Sequence, residues 1–319
     1  MNLASKPLWT VIVVALLAVV PVLFPGYHTS LATLTLIYAL LAMSVDILAG
    51  FAGRTPLCHG AIFGTATYVV MYYVSVAGGN PWVGVALGIV AAVVVSLIFA
   101  LLAVRTTGVY FLLLTLALGM IVWGVCQRWT SVTGGENGLR GNVRPDWLAD
   151  PVRFYYFVLL VGLTASFVMW RFVRSPFGLT LRGIRESESR MRSLGYNSTH
   201  HLVLGFLFSG LMAGISGVLY AFFNSFVGPS TVALAQSVKG LLMAIIGGVG
   251  TLFGGVVGAA IIIILENVVS SFTERWSMVL GLLFVLTMIF APEGIVGKIR
   301  SMLGRRKALK ENLESKHAA

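Results

Sequence analysis

The residues able to do chemistry gather in one polar interval between two apolar runs. It reads Ser175-Pro176-Phe177-Gly178-Leu179-Thr180-Leu181-Arg182-Gly183-Ile184-Arg185-Glu186-Ser187-Glu188-Ser189-Arg190-Met191-Arg192-Ser193-Leu194-Gly195-Tyr196-Asn197. The spacing predicts a short amphipathic helix, with Ser175 as its cap, Pro176 at its first position and Gly195 as the left-handed residue after its end. Leu181, Ile184, Met191 and Leu194 form an apolar stripe, and Arg182, Arg185, Ser189 and Arg192 a basic one. Glu186 to Arg190 and Glu188 to Arg192 are i,i+4 pairs of opposite charge. A helix lying on anionic lipid would carry bases without interspersed glutamates, so the alternating signs favour docking against a protein groove.

Other ionisable groups in apolar surroundings are few. Asp46 lies inside an apolar run, Lys239 opens a glycine-rich run and Glu266 closes it. A charge in lipid is costly, which makes Asp46 a functional candidate; a structural hydrogen bond to a neighbouring helix is the alternative. His59 beside Cys58 has no third ligand nearby in sequence, so no metal site is expected. Cys58 and Cys126 fit neither a disulfide framework nor a metal site and read as packing residues. The chain contains no G-x-x-x-x-G-K-[ST] phosphate loop, no HExxH and no Ser/His/Asp group within its spans, so no catalytic residues are assigned.

The elements that must position these residues follow from composition. Of 319 residues, 58% are hydrophobic and 10% charged, and mean hydropathy is +0.93; a soluble domain carries about 25% charged residues. Crossing about 30 Å of hydrocarbon takes about 20 mostly apolar residues. Such runs occur at Leu8 to Pro25, Leu31 to Gly50, Leu57 to Ala77, Trp82 to Val104, Val109 to Cys126, Phe154 to Val173, Leu202 to Phe223, Val238 to Leu265 and Ser277 to Ala291. The first has no small-residue cleavage site and is expected to be a retained helix. The fold class is therefore an all-α polytopic membrane protein. Residues 1–297 form a single transmembrane domain, and 298–319 a basic cytoplasmic tail.

The net charge of +11 reports topology rather than nucleic-acid binding. With the N-terminus inside, Lys6, Arg54, Arg105, the Arg171 to Arg192 group and the tail from Lys298 all fall on the cytoplasmic face, 16 of the 22 basic residues. The exception is the external loop 127–153, with Arg128, Arg140, Arg144 and Arg153. If Val238 to Leu265 crossed once, the tail would end outside. That run should therefore be re-entrant, or two short helices returning to the external side, with Gly247, Gly248, Gly250, Gly254, Gly255 and Gly258 permitting a broken backbone. The expected count is about eight transmembrane helices plus this glycine-broken hairpin, with both termini cytoplasmic.

The 175–197 interval resembles the cytoplasmic coupling-helix loop of importer-type ABC permeases, in the form found in LivM-type branched-chain amino acid permeases. Gly178, Leu181, Arg182, Ile184, Arg185, Glu186, Glu188, Gly195 and Asn197 match in place. So do Ala49-Gly50-Phe51-Ala52-Gly53, Thr133-Gly134-Gly135-Glu136-Asn137-Gly138-Leu139 and the Ile246 to Gly255 stretch. Arg190 and Met191 stand where that family has paired alanines, and Arg54 and Thr55 where it often has glutamine and serine.

The resemblance implies a translocation subunit, not an enzyme, working with a related LivH-like permease, two cytoplasmic ATPases that bind ATP and magnesium, and a periplasmic or extracellular substrate-binding protein. This chain would bind no cofactor of its own and would lie in a prokaryotic inner membrane. It would carry a small solute such as a branched-chain or other hydrophobic amino acid. Arg182, Arg185, Glu186, Glu188 and Gly195 would couple to the ATPases, with Glu186 and Arg185 the first contacts. Gly134, Gly135, Asn137 and Gly138 would shape the external gate or dock the binding protein. Asp46, Gly247, Gly248 and Gly250 would line the path. The competing reading is an ion-coupled secondary transporter, which would normally need several acids or histidines at mid-membrane where this chain offers Asp46; a membrane enzyme ranks last.

Overall fold

The computed structural model describes residues 26–272 without interruption, together with 16–21, 23, 278–279, 281–282, 285 and 294–298. Helix α1 (Tyr27–Asp46) runs directly into a π-helical segment, Ile47–Ala52, and stops at Gly53, whose φ of 69° only glycine adopts freely. Helix α2 (His59–Met71) likewise continues as a π-helical segment, Tyr72–Val76. Helix α3 (Pro81–Ala103) starts where the Asn80 side chain accepts the Trp82 amide and proline takes the first helical position. Helix α4 (Val109–Arg128) leads to the long loop, and α5 (Pro151–Arg174) is capped by Asp150. After the polar interval, α8 (Ser198–Asn224) starts at the Asn197 cap.

Among the described residues, five helices are long and apolar enough to cross a membrane: Tyr27–Ala52, Pro81–Ala103, Val109–Arg128, Pro151–Arg174 and Ser198–Asn224. The first and last are mostly buried and form the centre, whereas α3, α4 and α5 turn many Leu, Ile and Val side chains outward. This is the pattern expected of an all-α polytopic membrane protein whose solvent is lipid. Close approach of α8 to α2 and α3 depends on small residues. Gly217 faces the Phe63 carbonyl, Gly214 faces Ala92 and Gly210 faces Ser96. The Thr67 hydroxyl donates to the Gly217 carbonyl across the α2–α8 contact at 2.9 Å.

Helices α1 and α8 are antiparallel: Ser209 Oγ donates to the Ser44 carbonyl (2.6 Å) and Ser216 Oγ to that of Ile37 (2.7 Å). One end of the molecule carries a short antiparallel ribbon of β1 (Leu139–Arg140) and β2 (Phe226–Val227). The opposite end carries the polar interval.

The interval departs from the expected single helix. It forms two, α6 (Pro176–Glu186) and α7 (Glu188–Ser193), broken at Ser187, which adopts extended backbone and caps α7 by accepting the Arg190 amide. A serine between two helical turns competes for the backbone in this way. The break removes the expected Glu186–Arg190 pair, which does not occur among the described residues, while Glu188–Arg192 forms at 2.6 Å. Leu181 and Ile184 are buried under α6, Met191 is half-buried and Leu194 is exposed, so the apolar stripe covers only the first helix.

The glycine-rich run is two helices, α9 (Leu234–Gly247) and α10 (Gly254–Ser270). Helix α9 begins level with the middle of α1, where Gln236 Nε2 donates to the Tyr38 hydroxyl at 2.7 Å. The turn between the helices reaches the end of α1 at Asp46 and Gly50. Helix α10 then returns to the ribbon end, where the Tyr27 hydroxyl donates to Asn267 Oδ1 at 3.2 Å. Of the two forms expected, the run takes that of two short helices starting and finishing toward one end, with a longer returning arm. Gly294 packs against Gly248 at the hairpin turn. The runs Leu8 to Pro25 and Ser277 to Ala291 and the tail beyond Lys298 lie largely or wholly outside the described residues.

Candidate coupling and translocation site

The end of α1 is where the sequence-predicted residues meet. Its π-helical turn widens the backbone so that Gly50 and Phe51 face both the hairpin turn and α6. Asp46 is buried, and both of its carboxylate oxygens are engaged: Oδ1 accepts the Gly250 amide at 2.7 Å and Oδ2 the Leu252 amide at 2.9 Å. Two backbone N–H donors on one carboxylate compensate the cost of placing it away from water. The same clip holds Leu252 at φ 57°, a conformation disfavoured for a branched side chain. Gly50 and Gly250 touch backbone to backbone, and a Cβ at Gly50 would run into Asp46 Oδ1 and the Gly250 amide. Gly247 packs just as closely on Gly254, and Gly248 provides the positive φ of 119° that turns the chain.

From the other side, α6 turns two arginines toward this turn. Arg185 Nη1 donates to the Gly50 carbonyl, and the Arg182 guanidinium lies 4.8 Å from the centre of the Phe51 ring. Glu188, on α7, bridges Arg192 and Arg54; the latter contact measures 2.8 Å, and Arg54 Nη1 also donates to the Thr106 carbonyl. Burial lowers the Arg54 pKa from its ordinary value, and the Glu188 carboxylate opposes that shift. Glu186 points outward, exposed and outside any ion pair among the described residues. Gly195 takes φ 88° in the exposed stretch before α8. The α6–α7 pair is therefore fixed to α1 on one face and carries Glu186, Arg190 and Arg192 on the other.

At the ribbon end, Gly134, Gly135 and Gly138 all have positive φ. A Cβ at Gly138 would collide with the Val227 carbonyl, so this glycine lets the loop enter the ribbon. Asn137 and Glu136 are exposed at the tip, with Glu136 accepting from Gln127 at 2.8 Å. Two of the arginines that break the charge asymmetry find partners at this end. The Arg144 guanidinium donates to the Phe222 carbonyl at 2.9 and 3.0 Å and stacks 4.2 Å from the Phe154 ring centre, so it closes the C-terminus of α8. Burial lowers its pKa. Arg140 lies over the Phe226 ring.

Two charged residues that stand alone in the sequence come together. Lys239 Nζ lies 2.5 Å from Glu266 Oε2 and 4.4 Å from the centre of the Tyr38 ring. They are 27 positions apart, and only the fold of the hairpin joins them. The contributions of Tyr38, Gln236 and Tyr220 were not legible in sequence, each being one polar or aromatic residue within or beside an apolar run, and Arg144 showed only as one of the basic residues of the 127–153 loop. His59 is buried, with Nε2 2.7 Å from Ser209 Oγ. Among the described residues no three His, Cys, Asp or Glu side chains cluster as metal ligands, and both cysteines are buried and free.

Residues 27–288 match the family described as "Branched-chain amino acid transport system / permease component". The high-affinity branched-chain amino acid transport system permease protein LivM of Salmonella typhimurium is 27% identical over 86% of this chain and 71% of its own length. LivM of Escherichia coli K12 is 26% identical over 94% and 77%. The companion permease protein LivH of E. coli K12 is 25% identical over 83% of this chain and 93% of its own. No solved structure matches. With most of its length inside the family match, and with its glycine-broken hairpin and charged interval in place, this chain belongs to the permease components of branched-chain amino acid transport systems, in their LivM type.

Proposed function

We propose that this chain is the translocation subunit of an ATP-driven importer that carries branched-chain or other hydrophobic amino acids inward. It works beside a LivH-like sister permease, two cytoplasmic ATPases that supply the ATP and magnesium chemistry, and an external binding protein that delivers the substrate. It lies in a prokaryotic inner membrane with both termini and the α6–α7 segment in the cytoplasm. Residues 1–297 are one transmembrane domain and 298–319 its tail.

The observation that carries this reading is the two-faced α6–α7 segment. Arg182 and Arg185 attach it to the π-helical end of α1 and Glu188 to Arg54 just beyond, and Glu186 stands outside any ion pair among the described residues on its outer face. ATP-driven closure of the ATPases pushes on Glu186. The push passes through Arg185 to Gly50, and through the Gly50–Gly250 contact and the Asp46 clip to the hairpin turn. A packed, hydrogen-bonded connection of this kind transmits a displacement because each joint has little free volume. At the opposite end, the exposed Glu136–Asn137 tip, set by Gly134, Gly135 and Gly138, receives the binding protein.

The test is gentle detergent capture of the chain from its native membrane, with identification of what co-purifies and an ATPase assay with and without loaded candidate receptors. Two ATPases, a sister permease and hydrolysis that rises with a loaded receptor are expected. A chain that emerges alone and drives solute flux from an ion gradient in liposomes would overturn the reading.

A further inference from the structure

The Lys239–Glu266 pair bridges the two arms of the hairpin, α9 and α10, well away from the Asp46 clip that holds its turn. Its side chains are 15% and 22% exposed, so both ions are largely withdrawn from water while still reachable. Desolvating two charges is costly, and an apolar pair of similar size would hold two helices together as well. An ionisable pair between apolar helices of a membrane protein is therefore a candidate for a functional site. The ammonium can donate three hydrogen bonds, and here it meets one carboxylate oxygen and one ring face.

The surroundings are as specific as the pair. Tyr38, over whose ring Lys239 lies, stacks on Phe63 with centroids 6.1 Å apart and meets Tyr220 edge-on at 6.0 Å; Phe63 and Tyr220 are 5.1 Å apart. Gln236, at the start of α9, donates to the Tyr38 hydroxyl. An opposite-charge couple thus stands at the rim of an aromatic cluster where the short arm of the hairpin begins, one residue along α10 from the Asn267–Tyr27 contact at the ribbon end.

We infer that Lys239 and Glu266 are a charge-exchange station for a zwitterionic amino acid with an apolar side chain. This rests on the importer reading and names where and how the substrate is held. The α-carboxylate takes Lys239, the α-ammonium takes Glu266 and the side chain lies against the Tyr38–Tyr220 faces. The resident pair opens as the substrate enters, and each ion trades one opposite charge for another, so no bare charge is left behind and no proton moves. When the substrate leaves, the pair closes and removes the polar foothold.

The experiment uses the assembled transporter in proteoliposomes, with a loaded receptor outside and ATP at the ATPases, and reads both leucine uptake and receptor-stimulated ATP hydrolysis. The variants are Lys239→Met, Glu266→Met and K239M/E266M, the last of which keeps bulk and removes the buried charge mismatch. The expected result is at least a tenfold loss of uptake in all three, with stimulated hydrolysis within twofold of the parent, because the receptor and coupling machinery are untouched. Uptake near the parent level in the double variant would overturn the inference and leave the pair as a tie between helices. Uptake and hydrolysis falling together in the double variant would overturn it in the same way. If the unmodified complex hydrolyses ATP without accumulating leucine, the importer reading itself fails before any variant is compared.

Discussion

The two ends of the molecule use the same residue types, arginine and glycine, for opposite purposes. At the α6–α7 end, Arg185 and Arg182 reach from α6 to the π-helical end of α1, and Gly50 and Gly250 let two backbones meet with no side chain between them. At the ribbon end, Arg144 folds back on the last carbonyls of α8, and Gly138 admits the loop to the ribbon. One set joins separate elements to one another; the other closes a single part. The difference lies in what each side chain touches, which neither residue type nor glycine count reveals.

The largest effect should come from the joint on which the first set converges. Asp46→Leu strips the acceptors from two amides at a buried turn, at about 1–3 kcal/mol for each donor left bare, and frees Leu252 from the constraint that keeps it at positive φ. The folded yield of the complex, measured by size-exclusion chromatography in mild detergent, should collapse. Asp46→Asn keeps one carbonyl oxygen as acceptor and should fall between. If Asp46→Leu assembled as well as the parent, the turn would not depend on the clip, and the α6–α7 end would lose its distinction from the ribbon end.

Next in size is a change that should leave folding untouched. Glu186 is exposed and outside any ion pair among the described residues, so Glu186→Lys removes nothing that holds the chain together. It should abolish ATP-driven uptake while the amount of protein in the membrane stays at the parent level. Normal uptake would place the ATPase contact elsewhere on α6–α7. By contrast, Arg185→Met should lower uptake and thermal stability together, because its guanidinium faces inward to the Gly50 carbonyl.

What was legible in sequence follows from what kind of signal each feature leaves. The seven apolar runs from Leu31 to Leu265 and the Gly247 to Gly255 break are local and long, and they correspond to the described helices and the hairpin turn. The amphipathic interval was also local, but Ser187 reads as one more polar residue until its backbone is seen to be extended. Asp46 stood out because an acid in an apolar run has few neighbours to hide among, yet its partners are backbone amides, which have no sequence signature. Arg144 counted as an exception to the charge asymmetry, and the reason lies 78 positions away in the Phe222 carbonyl. Lys239 and Glu266 were each visible, and their pairing was not, because it depends on the register between α9 and α10.

A smaller effect is expected at the ribbon end. Arg144→Met leaves only an apolar contact with Phe154 and loses both the cation–π contact and the charged hydrogen bonds to the end of α8, the latter worth about 1.5–3 kcal/mol for a hydrogen bond to a charged group. The apparent melting temperature of the complex should drop by a few degrees, with uptake per folded complex retained. A loss of uptake at unchanged melting temperature would mean that Arg144 belongs to the path and not to the closure of α8.

The smallest effect concerns the exposed tip. Glu136 and Asn137 project from a turn whose shape is set by the glycines on either side, so truncating both side chains leaves the backbone in place. If the tip receives the binding protein, E136A/N137A should raise the receptor concentration for half-maximal stimulation of ATP hydrolysis several-fold, with maximal hydrolysis and uptake at saturating receptor unchanged. Loss of one or two polar contacts at the rim of an interface has consequences of this size. An unchanged receptor titration would show that the turn serves the ribbon alone, and the two ends would then differ more sharply still: one built to pass a displacement on, the other only to hold its own shape.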